Sequence, residues 1–317
     1  MNIFPFISSR LFIGCTFQVG GVSIFVNTGL VLEGGGMRGA YTAGVLDLFL
    51  EEEIMFPYII GVSAGANNGA NFVAGQKERS KRIFLNYSQK KRFMGLKNLL
   101  KKRNYFGMDF IYEVLPFEID PFDFEAFANS SAKFKVVLTD RESGNPVYME
   151  HKDYCPEFFV KKILRASSTL PLICSPVKIE DNFYLDGGIS APIPVKKAIR
   201  DGYKYNVLVL TREEDYYKKP AKIRPLFKLF YRNFPGLLQK LQNRHNIYNE
   251  CLNFVRKLEE NNRVFVFRPQ NEVKVNILEN DRQKIKDLYE KGYSETKNRM
   301  ENFKEWAKEI TSSRAIS

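Results

Sequence analysis

One stretch of the sequence, Leu30 to Gly69, constrains the fold of this chain more than any other. It reads as an apolar strand, a glycine loop, a helix, a second apolar strand, a tight G-V-S-A-G turn and another helix. Both strands are short continuous apolar runs, which is typical of strands buried on both faces of a sheet. The alternation of strands and helices therefore predicts an α/β fold with a mostly parallel sheet covered by helices.

The glycine loop has the sequence E-G-G-G-M-R-G from Glu33 to Gly39, which contains the pattern G-x-G-x-x-G between a strand and a helix. That pattern is the fingerprint of a dinucleotide-binding loop. A dinucleotide site also needs an acidic residue at the end of the second strand to hold a ribose. Here the second strand ends in a serine turn instead. We therefore disfavour nucleotide binding and expect the loop to present backbone N–H groups to an oxyanion at a helix N-terminus.

The turn after the second strand matches G-x-S-x-G and places Ser63 between the flanking glycines Gly61 and Gly65. This pattern presents a nucleophilic serine on a sharp strand-to-helix turn, where small neighbours are needed because backbone segments lie close together. The pattern is common by chance, but its position after an apolar strand favours a nucleophile. The alternative is a glycine turn in which Ser63 only caps the following helix.

A serine nucleophile needs a base. The chain has two histidines, His151 in a polar loop and His245 in a basic segment, and we expect both to be surface residues. The remaining candidate is Asp186 in L-D-G-G, where two glycines allow close packing against the serine turn. Such an aspartate needs partial burial to raise its pKa before it can act as a base. The alternative is an ordinary Asp-Gly turn.

The net charge of +12 is concentrated in two segments, residues 90–103 and 218–245, which contain seven and eight Lys or Arg residues and no acid. Cations mixed with large apolar side chains are typical of proteins that bind an anionic membrane surface. The alternative is a solvated basic face over ordinary core contacts. No nucleic-acid-reading motif accompanies the charge, so we expect no nucleic-acid partner. The apolar residues concerned are Phe93, Met94, Leu96, Leu99, Leu100, Phe227, Phe230, Tyr231, Phe234 and Leu237.

The two ends of the chain and its cysteines give weaker signals. Residues 11–32 carry no charge, which is a feature of signal peptides and membrane spans. Their last residues, however, are needed as the first core strand. We predict an N-terminal extension at residues 1–26, either disordered or preceding the true start, and export stays an open alternative. None of the four cysteines forms a C-x-x-C pair, which favours a reducing, cytoplasmic location without a zinc site.

The second basic segment is predicted to be helical, with interruptions at Pro220, Pro225 and Pro235. A further helix is predicted from about Asn246 to Glu260, followed by a strand and charged helices.

Several ordered blocks of the sequence resemble the patatin-like phospholipase family, particularly a bacterial subgroup with an extra C-terminal region. The glycine loop, G-V-S-A-G and L-D-G-G resemble the family's oxyanion-hole, nucleophile and aspartate blocks, although many relatives have Asp where this chain has Glu33. The segments L-T-D-R-E-S-G (138–144) and R-A-S-S-T-L-P (165–171) resemble two further blocks. R-V-F-V-F-R-P and L-Y-E-K-G-Y resemble pieces of the C-terminal region.

The resemblance implies a three-layer α/β/α fold, with a catalytic domain at residues 27–212 and a basic helical segment plus a smaller α+β region at 213–317. It implies hydrolysis of phospholipids or other acyl lipids by a Ser-Asp dyad, with Ser63 as nucleophile and Asp186 as base, and with neither metal nor cofactor. Peripheral binding of a cytoplasmic protein to membranes is expected with it. The other implied site residues are the oxyanion-hole residues Gly34, Gly35, Gly36 and Arg38, the elbow glycines Gly61 and Gly65, and the aspartate-motif glycines Gly187 and Gly188.

Two alternative functions stay open at this point. The same serine could carry out acyl transfer or thioester hydrolysis, or the chain could be a catalytically silent membrane-binding regulator. The sequence gives no indication of oligomeric state.

Overall fold

A computed structural model describes residues 16–19, 22–25, 27–220 and 224–312. Among these residues, no helix is both long and apolar enough to cross a membrane. The strands are β1 (Thr16–Val19), β2 (Val22–Phe25), β3 (Thr28–Leu32), β4 (Ile54–Met55), β5 (Tyr58–Val62), β6 (Lys133–Asp140), β7 (Pro146–Glu150), β8 (Val177–Ile179), β9 (Asn182–Asp186), β10 (Tyr205–Val209) and β11 (Val264–Phe267).

Most of the remaining described chain is helical, including three π-helical segments at Ile83–Tyr87, Phe110–Ile119 and Phe159–Leu164. Short 3₁₀ turns lie at Gly36–Arg38, His151–Asp153 and Gly187–Ile189. The α-helices are α1 (Gly39–Glu51), α2 (Ala64–Val73), α3 (Arg79–Arg82), α4 (Leu96–Lys102), α5 (Phe124–Asn129), α6 (Pro156–Phe158), α7 (Arg165–Ser167), α8 (Val195–Arg200), α9 (Arg224–Tyr231), α10 (Pro235–Glu260), α11 (Arg282–Asn298) and α12 (Met300–Ser312).

The central sheet has the strand order β11-β10-β3-β5-β6-β9-β8, with β7 paired to β6. The five strands from β11 to β6 are parallel to one another, whereas β9 and β7 are antiparallel to β6. A separate small sheet joins β1 and β2 to β4. The predicted N-terminal extension at residues 1–26 thus contributes β1 and β2, and its other residues lie outside the described part of the chain.

Side chains of the parallel strands alternate between two buried clusters, one on each face of the sheet. In β3, Leu30 and Leu32 belong to one cluster and Val31 to the other. Helices α1, α2, α11 and α12 cover the first face, while α8 and α10 cover the second. A strand with this period of two is buried on both faces, which is why its sequence is apolar throughout. The predicted α/β class with a mostly parallel sheet between helical layers is confirmed.

The C-terminal residues complete this architecture. Strand β11 extends the sheet beside β10, and α11 crosses α1 so closely that a side chain on Gly44 would overlap the backbone of Tyr289. The boundary near residue 213 stays a prediction. Helix α10 begins at Pro235, well before the predicted start near Asn246. That proline opens the helix because the first helical position needs no N–H donor.

The buried carboxylate of Glu33 joins three elements at the end of β3. Its Oε2 accepts hydrogen bonds from the backbone N–H of Thr211 (2.6 Å) and from the Thr211 hydroxyl (3.1 Å), just beyond β10. Its Oε1 accepts a hydrogen bond from the hydroxyl of Tyr248 on α10 (2.7 Å). Because Glu33 immediately precedes the glycine loop, these bonds fix the start of that loop against the sheet and against α10.

We expect this joint to contribute measurably to stability. In a double-mutant cycle, Glu33→Gln and Tyr248→Phe should couple by about 1.5–3 kcal/mol, because a hydrogen bond to a buried charge is worth roughly that much. The free energy of unfolding in urea measures the coupling. As a matched control, Tyr216→Phe should show near-additivity with Glu33→Gln, because the Tyr216 ring packs against Tyr248 at 5.8 Å but does not bond Glu33. Additive effects of Glu33→Gln and Tyr248→Phe would show that the hydrogen bond between these residues does not contribute to stability.

Candidate active site

Ser63 lies on a strained turn between β5 and α2. Its backbone has φ 53° and ψ −122°, in the positive-φ region that residues with a side chain rarely occupy. The Ser63 N–H donates to Ser167 Oγ (2.9 Å), and the Ser167 hydroxyl donates to the carbonyl of Val137 on β6 (2.8 Å). The amide of Asn67 donates to the Ser63 carbonyl (3.0 Å). The strained conformation is therefore held by side chains from two other segments.

The glycine loop packs directly against this turn. A Cβ atom on Gly34 would lie 3.1 Å from the Cβ of Ser63, and one on Gly65 would lie 2.5 Å from the carbonyl oxygen of Glu33. A larger residue at either position would push the loop and the turn apart. The backbone N–H groups of Gly34, Gly35 and Gly36 donate to none of the residues that the structure describes, and all three residues line the same cavity as Ser63.

Asp186 is the last residue of β9, which runs antiparallel to β5 and β6 and ends beside the serine turn. On β6, Val137 is paired with Val62 of β5 and the next residue, Leu138, is paired with Asp186 of β9. Because β5 and β9 both end at this point, the sheet register itself brings Ser63 and Asp186 to adjacent positions. The Asp186 backbone is fixed further by a bond from its N–H to the Thr169 carbonyl (2.9 Å).

The Asp186 carboxylate is buried and has one free oxygen. Oδ1 accepts a hydrogen bond from the Gly188 N–H (2.7 Å), whereas Oδ2 has no hydrogen-bond partner among the described residues. Burial raises the pKa of Asp186, opposed by Arg244, the Ser63 hydroxyl and the Gly188 N–H. No hydrogen bond of ordinary length joins Ser63 to Asp186, although the Ser63 hydroxyl lies near enough to favour the ionised carboxylate. Catalytic contacts of this kind often tighten only when a substrate binds. A desolvated carboxylate beside a hydroxyl can accept its proton.

The other predicted site residues divide into two groups. Arg38 and Gly188 line the cavity, whereas Gly61 and Gly187 lie behind its wall and pack against backbone atoms of Ala66 and Val137. The Nε of Arg38 is buried and has no hydrogen-bond partner in the part of the chain that the structure describes. Burial and the nearby Arg212 lower the pKa of Arg38, opposed by Glu33.

The cavity has a volume of about 480 Å³, within the usual range for small-molecule sites. Most of its apolar lining comes from the chain between β5 and β8, and each of the three π-helical segments supplies residues to it. In the described part of the chain, no cluster of His, Cys, Asp and Glu is arranged to hold a metal ion. The apolar lining includes Ile83, Phe84, Phe93, Phe106, Met108, Ile111, Leu115, Phe122, Val160, Leu164 and Leu170.

Neither histidine lines the cavity. The expectation that His151 lies at the surface is wrong, because it is only 3% exposed and packs among the rings of Phe127, Phe134 and Phe159. Its Nδ1 accepts a hydrogen bond from the Phe134 N–H (3.2 Å), and burial lowers its pKa to about 4. His151 is thus a neutral core residue.

More apolar side chains of the two basic segments are buried in the core than we expected from the sequence. Phe93 and Met94 are buried, so the first segment presents neither of them to a membrane. In the second segment, Phe227 and Tyr231 of α9 are buried in one cluster with Leu237 of α10. The exposed large apolar residues of α9 are Phe230, as predicted, together with Leu226 and Leu229.

Several residues of the site could not be assigned from the sequence. Ser167 belongs to the R-A-S-S-T-L-P block, which marked its position but not its contact with Ser63. Arg212, Lys218, Arg244 and Tyr248 also line the cavity, from the loop after β10 and from α10. No local pattern distinguishes them from the other cations and tyrosines of a basic chain.

The chain is similar in sequence to known proteins. The chain is 31% identical over 252 residues to the uncharacterized protein YjjU of Escherichia coli strain K12, covering 76% of this chain and 68% of that protein. It is 29% identical over 171 residues to lysophospholipase nte1 of Aspergillus terreus, covering 51% of this chain and 10% of that protein.

A structure of VipD from Legionella pneumophila matches with a TM-score of 0.50 and 11% identity, covering 87% of this chain and 67% of the other, which is a likeness of fold alone. The profile of a domain of unknown function, DUF6363, matches residues 234–308. The profile named patatin-like phospholipase matches residues 30–199, which include the glycine loop, Ser63 and Asp186. This chain belongs to the patatin-like phospholipase family.

Proposed function

We propose that the chain is a serine lipid acyl hydrolase of the phospholipase A or lysophospholipase type. The observation that carries this proposal is that Ser63, on a strained turn, and the unpaired Oδ2 of buried Asp186 line one cavity. Family membership supports a lipid substrate, and the apolar part of the cavity is suited to an acyl chain.

In the proposed reaction, Asp186 Oδ2 accepts the Ser63 proton as the serine oxygen attacks the ester carbonyl. The N–H groups of Gly34, Gly35 and Gly36 donate to the resulting oxyanion, and one such donor is typically worth about 3 kcal/mol. Arg38 adds positive charge beside them. The leaving alcohol takes the proton from Asp186, and a water activated by the same carboxylate then releases the fatty acid.

We expect Ser63→Ala and Asp186→Asn each to lower kcat for release of fatty acid from lysophospholipid by at least about a thousandfold. Removing one member of a nucleophile–base pair removes the covalent route almost entirely. The measurement is fatty-acid release by mass spectrometry beside the wild type, with folding checked by thermal melting.

Matched controls for these variants are the exposed residues Ser294→Ala and Asp181→Asn, which should retain wild-type activity. Substantial residual activity of Ser63→Ala would refute the proposal. Wild-type products that contain transferred acyl chains, or hydrolysis of thioesters only, would favour the alternative reactions of the same serine. An inactive wild type that still binds vesicles would favour a silent regulator.

The raised pKa of Asp186 predicts the pH dependence. The base acts when ionised, so kcat/KM should fall as pH decreases through a pKa higher than the roughly 3.9 of an ordinary aspartate. Because Arg244 is the strongest influence holding this pKa down, Arg244→Gln should move the acid limb to higher pH. The pH profile of kcat/KM on an uncharged ester measures both effects. An acid limb unmoved by Arg244→Gln would contradict the assignment of Asp186 as the base.

We also propose that α9 binds the surface of an anionic membrane. Leu226, Leu229 and Phe230 are 47%, 66% and 63% exposed, and the exposed cations Lys228 and Arg232 flank them. Apolar side chains next to cations suit the interface of an anionic bilayer. The buried side of α9 packs on Leu185 and Ile189, on either side of Asp186 in the chain, so the helix lies next to the site.

We expect the double variant Leu229→Glu and Phe230→Glu to bind anionic vesicles at least about tenfold more weakly, because burying one such side chain is worth roughly 1.5–3 kcal/mol. Flotation with vesicles of phosphatidylglycerol measures binding, in the Ser63→Ala background so that lipid is not consumed. Leu100→Glu on α4 measures the contribution of the first basic segment in the same assay. Unchanged binding of the α9 variant would refute its membrane role.

A further inference from the structure

Four cations that line the cavity have no part in the proposed chemical steps, and one of them, Arg79, is paired with Asp120. Of the other three, Arg212 and Lys218 lie in the loop after β10, and Arg244 lies on α10. Besides Arg79, the cavity is thus lined by four positive side chains, these three and Arg38, and by the carboxylates of Glu33 and Asp186.

These cations are not neutralised by ion pairs. None of the three has a salt bridge within the described residues, and the Nε of Arg212 is buried without a hydrogen-bond partner. The oxygens of Glu33 are already occupied by Thr211 and Tyr248. A buried polar group without a partner is costly, so such a group indicates a missing partner.

The same cations are nevertheless held in place. Arg212 donates from one terminal nitrogen to the Val273 carbonyl (2.9 Å), and its guanidinium lies 4.5 Å from the centre of the Tyr216 ring. The Lys218 ammonium lies 4.6 Å from the centre of the Tyr248 ring. Arg244 donates to the Gly188 carbonyl (3.3 Å), beside Asp186. A positioned set of donors needs little reorganisation to bind a ligand.

The positive charges of Arg38, Lys218 and Arg244 repel one another, and a bound anion would reduce this repulsion. Burial, followed by Arg244 and Arg38, lowers the pKa of Lys218 to about 7 against the opposing effect of Glu33 and Asp186. Positive side chains brought together in a partly buried cavity stabilise a negative ligand more strongly than in water.

We propose that Arg212, Lys218 and Arg244 form a subsite for a phosphate group of the acyl substrate, so that phosphate-bearing acyl glycerols are preferred to uncharged ones. This rests on the proposed hydrolase function. Guanidinium groups bind phosphate oxygens in a paired geometry, and a lysine adds a point charge. Arg244 borders the cavity at Gly188, next to the carboxylate that would activate Ser63. Lys218 borders it at Tyr248, and Arg212 at Tyr216.

The test compares three oleoyl substrates in neutral detergent: lysophosphatidic acid, monoolein and oleoyl-coenzyme A. The wild type should hydrolyse lysophosphatidic acid with a kcat/KM about tenfold to a hundredfold above that for monoolein. This ratio corresponds to the free energy of one or two charge-assisted hydrogen bonds to the phosphate. In Arg212→Gln with Lys218→Gln, this ratio should fall towards one, whereas the exposed Lys219→Gln should keep it. Oleoyl-coenzyme A carries phosphate groups but is a thioester and not an acyl glycerol. Its selective hydrolysis would overturn the assignment of the subsite to a lipid phosphate.

If the cations acted only through the pKa of Asp186, the double variant would change kcat/KM for all three substrates by the same factor. That result would also refute the phosphate subsite. A preference that persists in the double variant would do the same while leaving the hydrolase function intact. Binding of lysophosphatidic acid to Ser63→Ala, measured by calorimetry, requires no turnover. Binding weakened about tenfold or more by Arg212→Gln with Lys218→Gln supports the subsite even if no ester is hydrolysed, and equal binding refutes it.

Discussion

The hydrogen bonds that hold the buried carboxylate of Glu33 are the constraint on which the site depends. They join the ends of β3 and β10 to α10 at the residue where the glycine loop begins. Glu33 forms no salt bridge with the cations of the cavity among the described residues, although its charge favours the charged forms of Arg38 and Lys218. A carboxylate in this position therefore organises the backbone of the loop and acts on these cations only through space.

The geometry of Ser63 and Asp186 follows from the sheet more than from their own loops. Strand β6 pairs with β5 and β9 at consecutive residues, so the two side chains meet because both strands end there. Ser167 then fixes the strained backbone of Ser63 by bridging it to Val137 of the same strand. The strain at Ser63 is thus offset by contacts made elsewhere in the fold.

The fold and the family could be predicted from the sequence because they depend on local patterns. Apolar runs predicted the strands β3 and β5, and glycines at positions of close backbone approach marked the loop and the turn. The contacts of Ser167 and Arg244 could not be predicted, since each depends on residues far away in the chain. The burial of His151 was missed for a similar reason: its aromatic neighbours come from separate elements.

The cavity is assembled from two segments that match different sequence profiles. Ser63, Asp186 and the apolar wall lie within residues 30–199, whereas Arg244 and Tyr248 lie within residues 234–308. The reactive groups and part of the surrounding charge are therefore encoded separately. A substitution in the second segment can therefore alter the charge around the cavity while the proposed nucleophile and base keep their identity, provided that Tyr248 still bonds Glu33.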